Sequence, residues 1–261
     1  MVKSARRALE ILERFEALQR PASVGEIATE LGYPVSSTSV LLRTMEELGY
    51  LSYDAHSRQF APTVRVGFMG DWILNGHPGR ARLKSLLHDA RRLTAMTALL
   101  ATRNGLDAQY LFVLRAQEMN FESRRPAMGT IRSILTASPG IMLLAELPDA
   151  QIELIVRGVK ATQRTSASLE QVMNSVDDAR RLGYAWNVGP RFPDVGSVSM
   201  RLPIDDMFGK PLVMSVAGAG TTIAAEHARI AGVLRRLVNR FRRRLADPSG
   251  VATRRSRPRP T

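Results

Sequence analysis

Apolar residues recur every three or four positions through the first part of the chain, and this spacing predicts short amphipathic helices. The first helix is expected from Ser4 to Leu18, with one apolar stripe made by Ala8, Ile11, Leu12, Phe15 and Leu18. The stretch that follows, Ser23 to Leu51, divides into two further helices joined by a tight turn. Three helices in this order predict a small helical head.

The helix pair has recognisable ends. Ser23 and Glu26 stand at the spacing of a capping box, and Gly32 can take the left-handed conformation that ends a helix. Ser36 is the expected N-cap of the next helix, and Gly49 is expected to end it. Such a pair is typical of a helix-turn-helix that binds DNA, although a helical hairpin with a solvated polar face is the alternative.

The last of these helices has two chemically different faces. Its inner face is expected to hold Leu41, Met45 and Leu48, with Thr38 and Leu42 at the edge. Its outer face and N-terminal tip offer short hydroxyl groups and one guanidinium, which suit contacts with bases and phosphates. The predicted DNA-binding residues on this helix are Ser36, Ser37, Thr38, Ser39 and Arg43.

Aromatic-rich segments flank a polar turn directly after the helix pair, which predicts a β-hairpin over residues 50–61. Three helices and a hairpin make a winged helix-turn-helix, here assigned to residues 1–62. Arg58 at the hairpin tip is a candidate backbone or minor-groove contact, whereas His56 is interpreted as an exposed turn residue.

The rest of the chain predicts a second domain. Residues 63–79 are assigned to a linker helix and a boundary, because an apolar helical stretch ends at Asn75-Gly76-His77-Pro78-Gly79. Residues 80–247 then alternate helices with strand hairpins, which favours an α+β fold with an antiparallel sheet. A polar loop is expected over 117–130, and a basic, disordered tail over 248–261.

Charge is distributed unevenly over the chain, whose formal net charge is +13. Residues 1–77 hold eight Lys/Arg against nine Asp/Glu, a balance of −1, whereas residues 229–261 hold eleven Arg against one Asp, a balance of +10. A polyanionic partner is therefore expected. The charge also supports an alternative function, a non-specific nucleic-acid-coating protein driven by the Arg-rich C-terminal end.

The sequence argues against several kinds of site. Zero cysteines exclude disulfides and thiolate metal sites, and the four histidines show no metal-ligand spacing, so no metal or cofactor is expected. Neither a GxSxG elbow nor a phosphate-binding GxxxxGK[ST] loop occurs, so an enzyme is not expected. No apolar run approaches the roughly 20 residues that span a bilayer. A cytoplasmic protein without a membrane partner is expected.

Several segments resemble the IclR-type bacterial transcriptional regulators over nearly the whole length. In the N-terminal part these are SARRALEILERF, SVGEIATELGYPVSST and LLRTMEELGYL; in the C-terminal part they are LTASPGIMLLAEL, LGYAWN, VGSVSMRLPI and GKPLVMSVAG. The resemblance implies a winged helix-turn-helix head, a linker helix and a GAF-like effector-binding domain. It also implies dimers or tetramers on palindromic double-stranded DNA, answering to a small organic acid or aromatic effector.

The resemblance also implies site residues. Family members often carry Arg where this chain has Val40 and a polar residue where it has Val35, whereas Arg43 is retained. The positions of the family's effector pocket fall on Ser138, Pro139, Gly140, Asn187, Ser199, Ser215 and Ala217. The alternative for Ser199 and Ser215 is that both are core hydroxyls satisfied within the sheet.

The expected function is therefore a ligand-responsive transcriptional regulator, acting as a repressor or dual regulator of a catabolic operon. Whether it represses or activates depends on where its site lies relative to a promoter.

Overall fold

The computed structural model describes residues 2–75, 78–116, 127–162, 165–189 and 192–246. Within it the chain forms two compact units, Met1–Arg80 and Ala81–Thr261. Most of the loop predicted over 117–130 and all of the tail predicted over 248–261 lie outside the described residues.

The first unit follows the predicted order of three helices, a hairpin and a further helix. Its elements are α1 Lys3–Leu18, α2 Val24–Leu31, α3 Val35–Glu47, β1 Leu51–Asp54, β2 Gln59–Pro62 and α4 Val64–Asn75. The predicted apolar stripe of α1 is confirmed at Ile11 and Phe15, which are buried together with Ile27, Leu42 and Phe60. The two strands pair in antiparallel register, so the predicted wing is confirmed.

The cap of α2 is only partly as predicted. The Ser23 hydroxyl accepts a hydrogen bond from the Glu26 backbone N–H at 3.3 Å, and Gly32 ends the helix with a φ of 67°. The Glu26 carboxylate accepts hydrogen bonds from the Arg20 guanidinium, and this bonding lowers the pKa of Glu26. Because the carboxylate is turned toward Arg20, only the Ser23 half of the expected capping box forms.

The second unit is an antiparallel sheet with helices on both faces, so the α+β prediction is confirmed. Its strands have the order β5-β4-β3-β8-β7-β6. The elements are α5 Pro78–Thr94, β3 Thr97–Asn104, β4 Asp107–Leu114, β5 Ile131–Ser133, α6 Ser138–Leu144, α7 Asp149–Ala161, α8 Leu169–Leu182, β6 Ala185–Gly189, β7 Phe192–Asp205, β8 Pro211–Ala219 and α9 Gly220–Ala246.

Alternation along the central strands builds two cores, because successive side chains of a strand point to opposite faces. Val198 and Met200 of β7, with Met214 and Val216 of β8, pack among residues of α5 and α9. On the opposite face Val213 packs among residues of α6, α7 and α8. Three serines of β7 and β8, Ser197, Ser199 and Ser215, share that second face and form hydrogen bonds there.

Candidate DNA-reading surface and effector site

The outer face of α3 presents a mixture of hydroxyl and apolar groups. Ser36 is exposed, whereas Ser37 and Ser39 are half-buried, and the Ser37 hydroxyl donates to the Pro34 carbonyl at 3.1 Å. Val35 and Val40 are 58% and 67% exposed. The surface therefore offers short donors beside two exposed methyl-bearing side chains.

Thr38 does not belong to this surface, and its assignment as a DNA contact is wrong. Its side chain is 0% exposed, and its hydroxyl donates to the Pro34 carbonyl at 3.0 Å. Thr38 lies on the same helical stripe as the buried Leu42 and Met45, four and seven residues further on. The inner face is therefore rotated from the predicted one.

The same rotation corrects two further expectations for α3. Leu48, predicted on the inner face, is 54% exposed. The helix begins at Val35 with Pro34 as its N-cap residue, so Ser36 lies inside the first turn and does not cap it. The Pro34 carbonyl accepts the first intrahelical bond from the Thr38 N–H at 3.1 Å. Helix α3 thus begins two residues earlier than the predicted cap at Ser36 implied.

Arg43 lies at the junction between α3 and the wing. Its guanidinium carbon is 3.9 Å from the centroid of the Tyr53 ring and 5.3 Å from that of Phe60. It also donates to a Glu46 carboxylate oxygen at 2.8 Å, a bond that raises the pKa of Arg43. The side chain remains 48% exposed. Arg43 therefore combines an accessible charge with a fixed position.

The tip of the wing is shaped by Asp54. Its carboxylate accepts from the backbone N–H groups of His56 and Ser57, both at 3.1 Å, and from the Ser57 hydroxyl at 2.5 Å. The bond from the Ser57 hydroxyl is the main cause of the lowered pKa of Asp54. Arg58 follows with a φ of 55° and is exposed, as is His56. The turn thus presents the Arg58 guanidinium to solvent.

In the second unit, four serine hydroxyls form a hydrogen-bonded chain between α6 and the sheet. Ser138 Oγ lies 2.6 Å from Ser197 Oγ and 2.7 Å from Ser199 Oγ, and Ser199 Oγ lies 2.6 Å from Ser215 Oγ. Ser197 in turn donates to Asn187 Oδ1 at 3.1 Å. Since Ser138, Ser199 and Ser215 are 0% exposed, these hydroxyls satisfy one another in the core.

The neighbours of Ser138 on α6 serve close packing. Gly140 is buried, and a Cβ placed on it would lie 2.5 Å from the Ile134 carbonyl oxygen. Pro139 is buried in the first turn of the same helix. Ala217 is 7% exposed and pairs with Thr97 on one side and Ser197 on the other.

A cavity of about 340 Å³ lies beside this chain, next to α8 and β6. Of the seven residues predicted to bind an effector, Asn187 lines this cavity and the other six do not. For Ser199 and Ser215, which are 0% exposed, the structure supports the alternative of satisfied core hydroxyls. For Ser138, Pro139, Gly140 and Ala217 the assignment stays a prediction. Asn187 is held in place by donating to the Thr136 carbonyl at 2.6 Å. Further polar or aromatic lining comes from Thr136, Gln171, Ser175, Asp178, Tyr184 and Trp186.

Sequence reasoning overlooked Trp186, although it adjoins Asn187. Its ring is stacked on that of His227, with centroids 4.0 Å apart and planes 3° from parallel. His227 Nδ1 also lies 3.0 Å from the Tyr184 hydroxyl. Gln171 and Ser175, which also line the cavity, are four residues apart and therefore share a face of helix α8.

Comparison with known families follows the same division of the chain. The model described as the IclR helix-turn-helix domain matches residues 4–55, and the model described as the bacterial transcriptional regulator IclR C-terminal region matches residues 73–241. The chain belongs to the IclR family. It is thus a DNA-binding transcriptional regulator with a C-terminal effector domain.

Curated relatives and solved structures agree with IclR membership. The chain is 25% identical over 236 residues to the glycerol operon regulatory protein of Streptomyces coelicolor, covering 90% of this chain and 89% of the relative. It is 23% identical over 188 residues to the transcriptional regulator XynR of Escherichia coli, covering 71% and 74%. The crystal structure of Thermotoga maritima IclR aligns with a TM-score of 0.62 at 19% identity, covering 95% of this chain and all of that one.

These IclR relatives are transcriptional regulators and not enzymes. In the part of the chain that the structure describes, no group of three or more His, Cys, Asp or Glu side chains is arranged to hold a metal ion. Across the same residues, none of the helices has the length and apolar character needed to cross a membrane.

The serine chain gives a stability prediction for this IclR domain. Replacing Ser199 with alanine should lower the free energy of unfolding by about 1–3 kcal/mol, because Ser138 and Ser215 would both be deprived of a buried partner. Urea unfolding followed by circular dichroism measures the change. Ser85→Ala, on the exposed face of α5, is the matched control and should stay within about 0.5 kcal/mol of wild type. Equal stability of the two variants would mean that the hydrogen-bonded serine hydroxyls do not stabilise the fold.

Proposed function

We propose that this regulator binds a palindromic promoter site as a homodimer or tetramer and represses a catabolic operon until an effector reaches the second unit. The observation that carries the proposal is one chain with two sites: a positioned Arg43 between α3 and the wing, and a separate effector cavity. Its place of action is the cytoplasm, where it meets double-stranded DNA.

Base and phosphate contacts are assigned to few groups. Ser36 and Ser39 supply short donors near the start of α3, whereas Ser37, whose hydrogen is donated to Pro34, supplies an acceptor oxygen. Arg43 supplies a planar fork, and Arg58 extends from the wing. Arg is suited to bidentate contacts with guanine or phosphate. Residues 1–77 carry a net charge of −1. DNA binding by the first unit therefore relies on these positioned side chains more than on overall charge.

The effector is assigned to the cavity beside α8 and β6. A volume of about 340 Å³ lies within the range of small-molecule sites. The described lining contains the carboxylate of Asp178, which accepts from Arg181 at 2.7 Å, and no Lys or Arg. Burying a carboxylate ligand here would lack a cationic partner in the lining. Of the two expected classes we therefore favour an uncharged aromatic or hydroxylated compound over an organic acid.

The lining suits such a compound. Trp186 offers aromatic surface, while Gln171, Ser175 and Asn187 offer amide and hydroxyl groups. The Streptomyces relative is named for a glycerol operon, so small polyols belong in the same screen as aromatic compounds. A thermal-shift screen against uncharged aromatics, polyols and small carboxylates identifies the class, because a ligand that binds only the folded state raises the melting temperature.

Replacing Trp186 with alanine tests the assignment of the cavity. The ligand found by the screen should then release DNA only at concentrations at least tenfold higher, since the largest apolar surface of the lining is gone, a loss worth about 1.4 kcal/mol or more. Binding of the unliganded protein to its promoter fragment should not change. Fluorescence anisotropy of the labelled fragment, titrated with ligand, measures both quantities.

Phe208→Ala is the matched control for this variant. Phe208 is an aromatic side chain of the same unit, 89% exposed in the turn between β7 and β8. It should respond to ligand like wild type. An unaltered ligand response of the Trp186→Ala protein would mean that the effector does not bind in this cavity.

The concentration of positive charge in residues 229–261 supports a second function, which is non-specific coating of nucleic acid by the Arg-rich C-terminal end. Deleting residues 248–261 separates the two. Retained preference for one promoter sequence with a shallower salt dependence favours regulation, whereas loss of affinity for all DNA from a protein that never preferred a sequence favours coating.

A further inference from the structure

A strongly basic groove lies on the second unit, away from the residues assigned to the effector. It has a volume of about 900 Å³ and runs between α5 and the C-terminal half of α9. Its apolar floor includes Val233 and Leu237, which are 9% and 1% exposed. Its polar lining consists of Arg82, Arg236, Asn239, Arg240, Arg243 and Arg244. The described lining contains no carboxylate.

The arginines of this groove differ from other arginines of the same unit. Arg157, Arg181 and Arg229 each pair with a carboxylate three or four residues away on their own helix. Glu226 is the last acidic residue of α9, and the sequence from 227 to 246 has none. Among the described residues, no ion pair neutralises Arg236, Arg240 or Arg243. Among the residues that the structure describes, the groove is therefore a concentration of positive charge without a paired carboxylate.

Helix geometry places these three side chains on one face. Residues 236, 240 and 243 follow the i, i+4, i+7 pattern, and the helix rises about 6 Å and then about 4.5 Å between them. Like charges at such spacing weaken a helix. The helix dipole favours cations in the last turn, which accounts for Arg243 and Arg244. The effect of the dipole is confined to the last turn, so it does not explain the positions of Arg236 and Arg240.

We propose that this groove binds the sugar-phosphate backbone of duplex DNA and supplies phosphate contacts in addition to those of the reading head. The proposal rests on the proposed function. A row of guanidinium groups with an amide beside it suits successive phosphates, since Arg presents a planar fork to phosphate oxygens. The first unit lacks net positive charge. Counterion release by basic side chains usually supplies much of the affinity for DNA, so basic side chains outside the first unit are expected to contribute to it.

The duplex has two possible sources, with the same chemistry. It is either DNA that flanks the site held by the head or a second duplex that the regulator joins to the first. Arg82, whose guanidinium donates to the Arg244 carbonyl, fixes the end of the groove. Arg236, Arg240 and Arg243 are exposed and can meet phosphates directly.

The test uses the full chain and a triple variant, Arg236→Gln/Arg240→Gln/Arg243→Gln. Glutamine keeps a helix propensity close to that of arginine. The matched control is Arg157→Gln/Arg181→Gln/Arg229→Gln, which removes the same charge from exposed helix positions of the same unit. Fluorescence anisotropy measures affinity for a short promoter duplex, a long one and a mixed-sequence duplex, between about 50 and 200 mM salt.

We expect the groove variant to have a shallower dependence of log affinity on log salt, by about 0.9 for each phosphate that the protein no longer neutralises, or roughly 2–3 per chain. The control should keep the wild-type slope within about 0.9. If the change appears only with the long duplex, the groove holds flanking DNA. If it appears instead as loss of bridging between two labelled duplexes, the groove holds a second one. Either pattern supports the proposal.

Equal slopes for the groove variant, the control and wild type, together with unchanged bridging between duplexes, would overturn the proposal. Equal slopes combined with loss of binding to a polyglutamate probe would assign the groove to an acidic protein instead of DNA. Failure of the proposed function has a different signature, because wild type would then show no preference for the promoter over the mixed-sequence duplex. The slope difference between the two triple variants is measurable in that case too.

Discussion

Replacing Gly140 with alanine is expected to destabilise the second unit by about 3 kcal/mol. A Cβ at this position would lie 2.5 Å from the carbonyl oxygen, 2.6 Å from the Cα and 2.7 Å from the carbonyl carbon of Ile134. All three atoms belong to the backbone, so no side chain can rotate away to make room. Ile134 and the residues of α6 around Gly140 are buried as well, and the collision must therefore displace the segment or the helix.

Gly232→Ala is the matched control for this substitution. Gly232 also lies within a helix of the second unit, but a Cβ there would meet only the end of the flexible Arg236 side chain at 3.8 Å. Removing a glycine from the interior of a helix is then expected to stabilise the fold by about 0.5–1 kcal/mol. Urea unfolding of both variants measures the two free energies, and the signs should be opposite.

The same experiment tests the position of α6 against the sheet. If Gly140→Ala unfolds at the wild-type urea concentration, α6 does not approach Ile134 as closely as described. A folded but weakened variant should also disturb the serine chain, because Ser138 lies two residues away and bonds to Ser197 and Ser199.

Elements with a strong periodic pattern were predictable from the sequence. The residue pattern from Leu169 to Leu182, followed by Gly183, predicts a helix with the bounds that α8 has. Its Ser168 forms a complete capping box with Gln171. Two apolar runs on either side of Asp205-Asp206-Met207-Phe208-Gly209 predict a strand hairpin. Strands β7 and β8 pair around that turn, where Gly209 takes a φ of 74°. In these places capping, turn chemistry and hydrophobic pattern all favour one structure.

Weaker or competing signals led to the errors. Strand β6 was not predicted, because Ala185–Gly189 is short and alternates poorly; its pairing with β7 makes it a strand. The rotation of α3 was missed because Thr38 looks polar in the sequence, although its hydroxyl bonds to the preceding turn and its methyl group suits the core.

The effector residues show a different limit of sequence reasoning. Matching positions to a family places Ser138, Ser199 and Ser215 correctly in one region. It does not reveal that their hydroxyls are 2.6–2.7 Å apart and satisfy one another. Hydrogen-bond satisfaction is a property of three-dimensional distance, so the alternative of core hydroxyls could be accepted only with the fold described.

Replacing Arg43 with alanine is expected to weaken binding to the promoter site at least tenfold. A charge-assisted contact of Arg with a base or phosphate is worth about 1–3 kcal/mol, and about 1.4 kcal/mol corresponds to a factor of ten. The loss should be larger than for a free surface arginine, since Arg43 lies over Tyr53 and Phe60 and thereby links α3 to the wing. Fluorescence anisotropy with the promoter fragment measures the change.

Arg43→Lys separates charge from shape. Lysine keeps the positive charge but lacks the planar fork that stacks on Tyr53 and binds two acceptors at once. If Arg43 reads a base, the lysine variant should bind the promoter weakly while keeping most of its affinity for mixed-sequence DNA. If Arg43 meets only a phosphate, the lysine variant should lose little on either duplex.

Arg6→Ala is the matched control, because Arg6 is an exposed arginine of the same unit that pairs with Glu10 one helical turn away. It removes the same charge and should change affinity less than threefold, as expected for a screened surface charge. Equal losses for Arg6→Ala and Arg43→Ala would mean that affinity follows net charge and that the recognition face is misassigned. Val35 and Val40 are exposed where the family often has polar or basic residues. Under the proposed function, base selection by α3 is therefore expected to depend on its single arginine, Arg43.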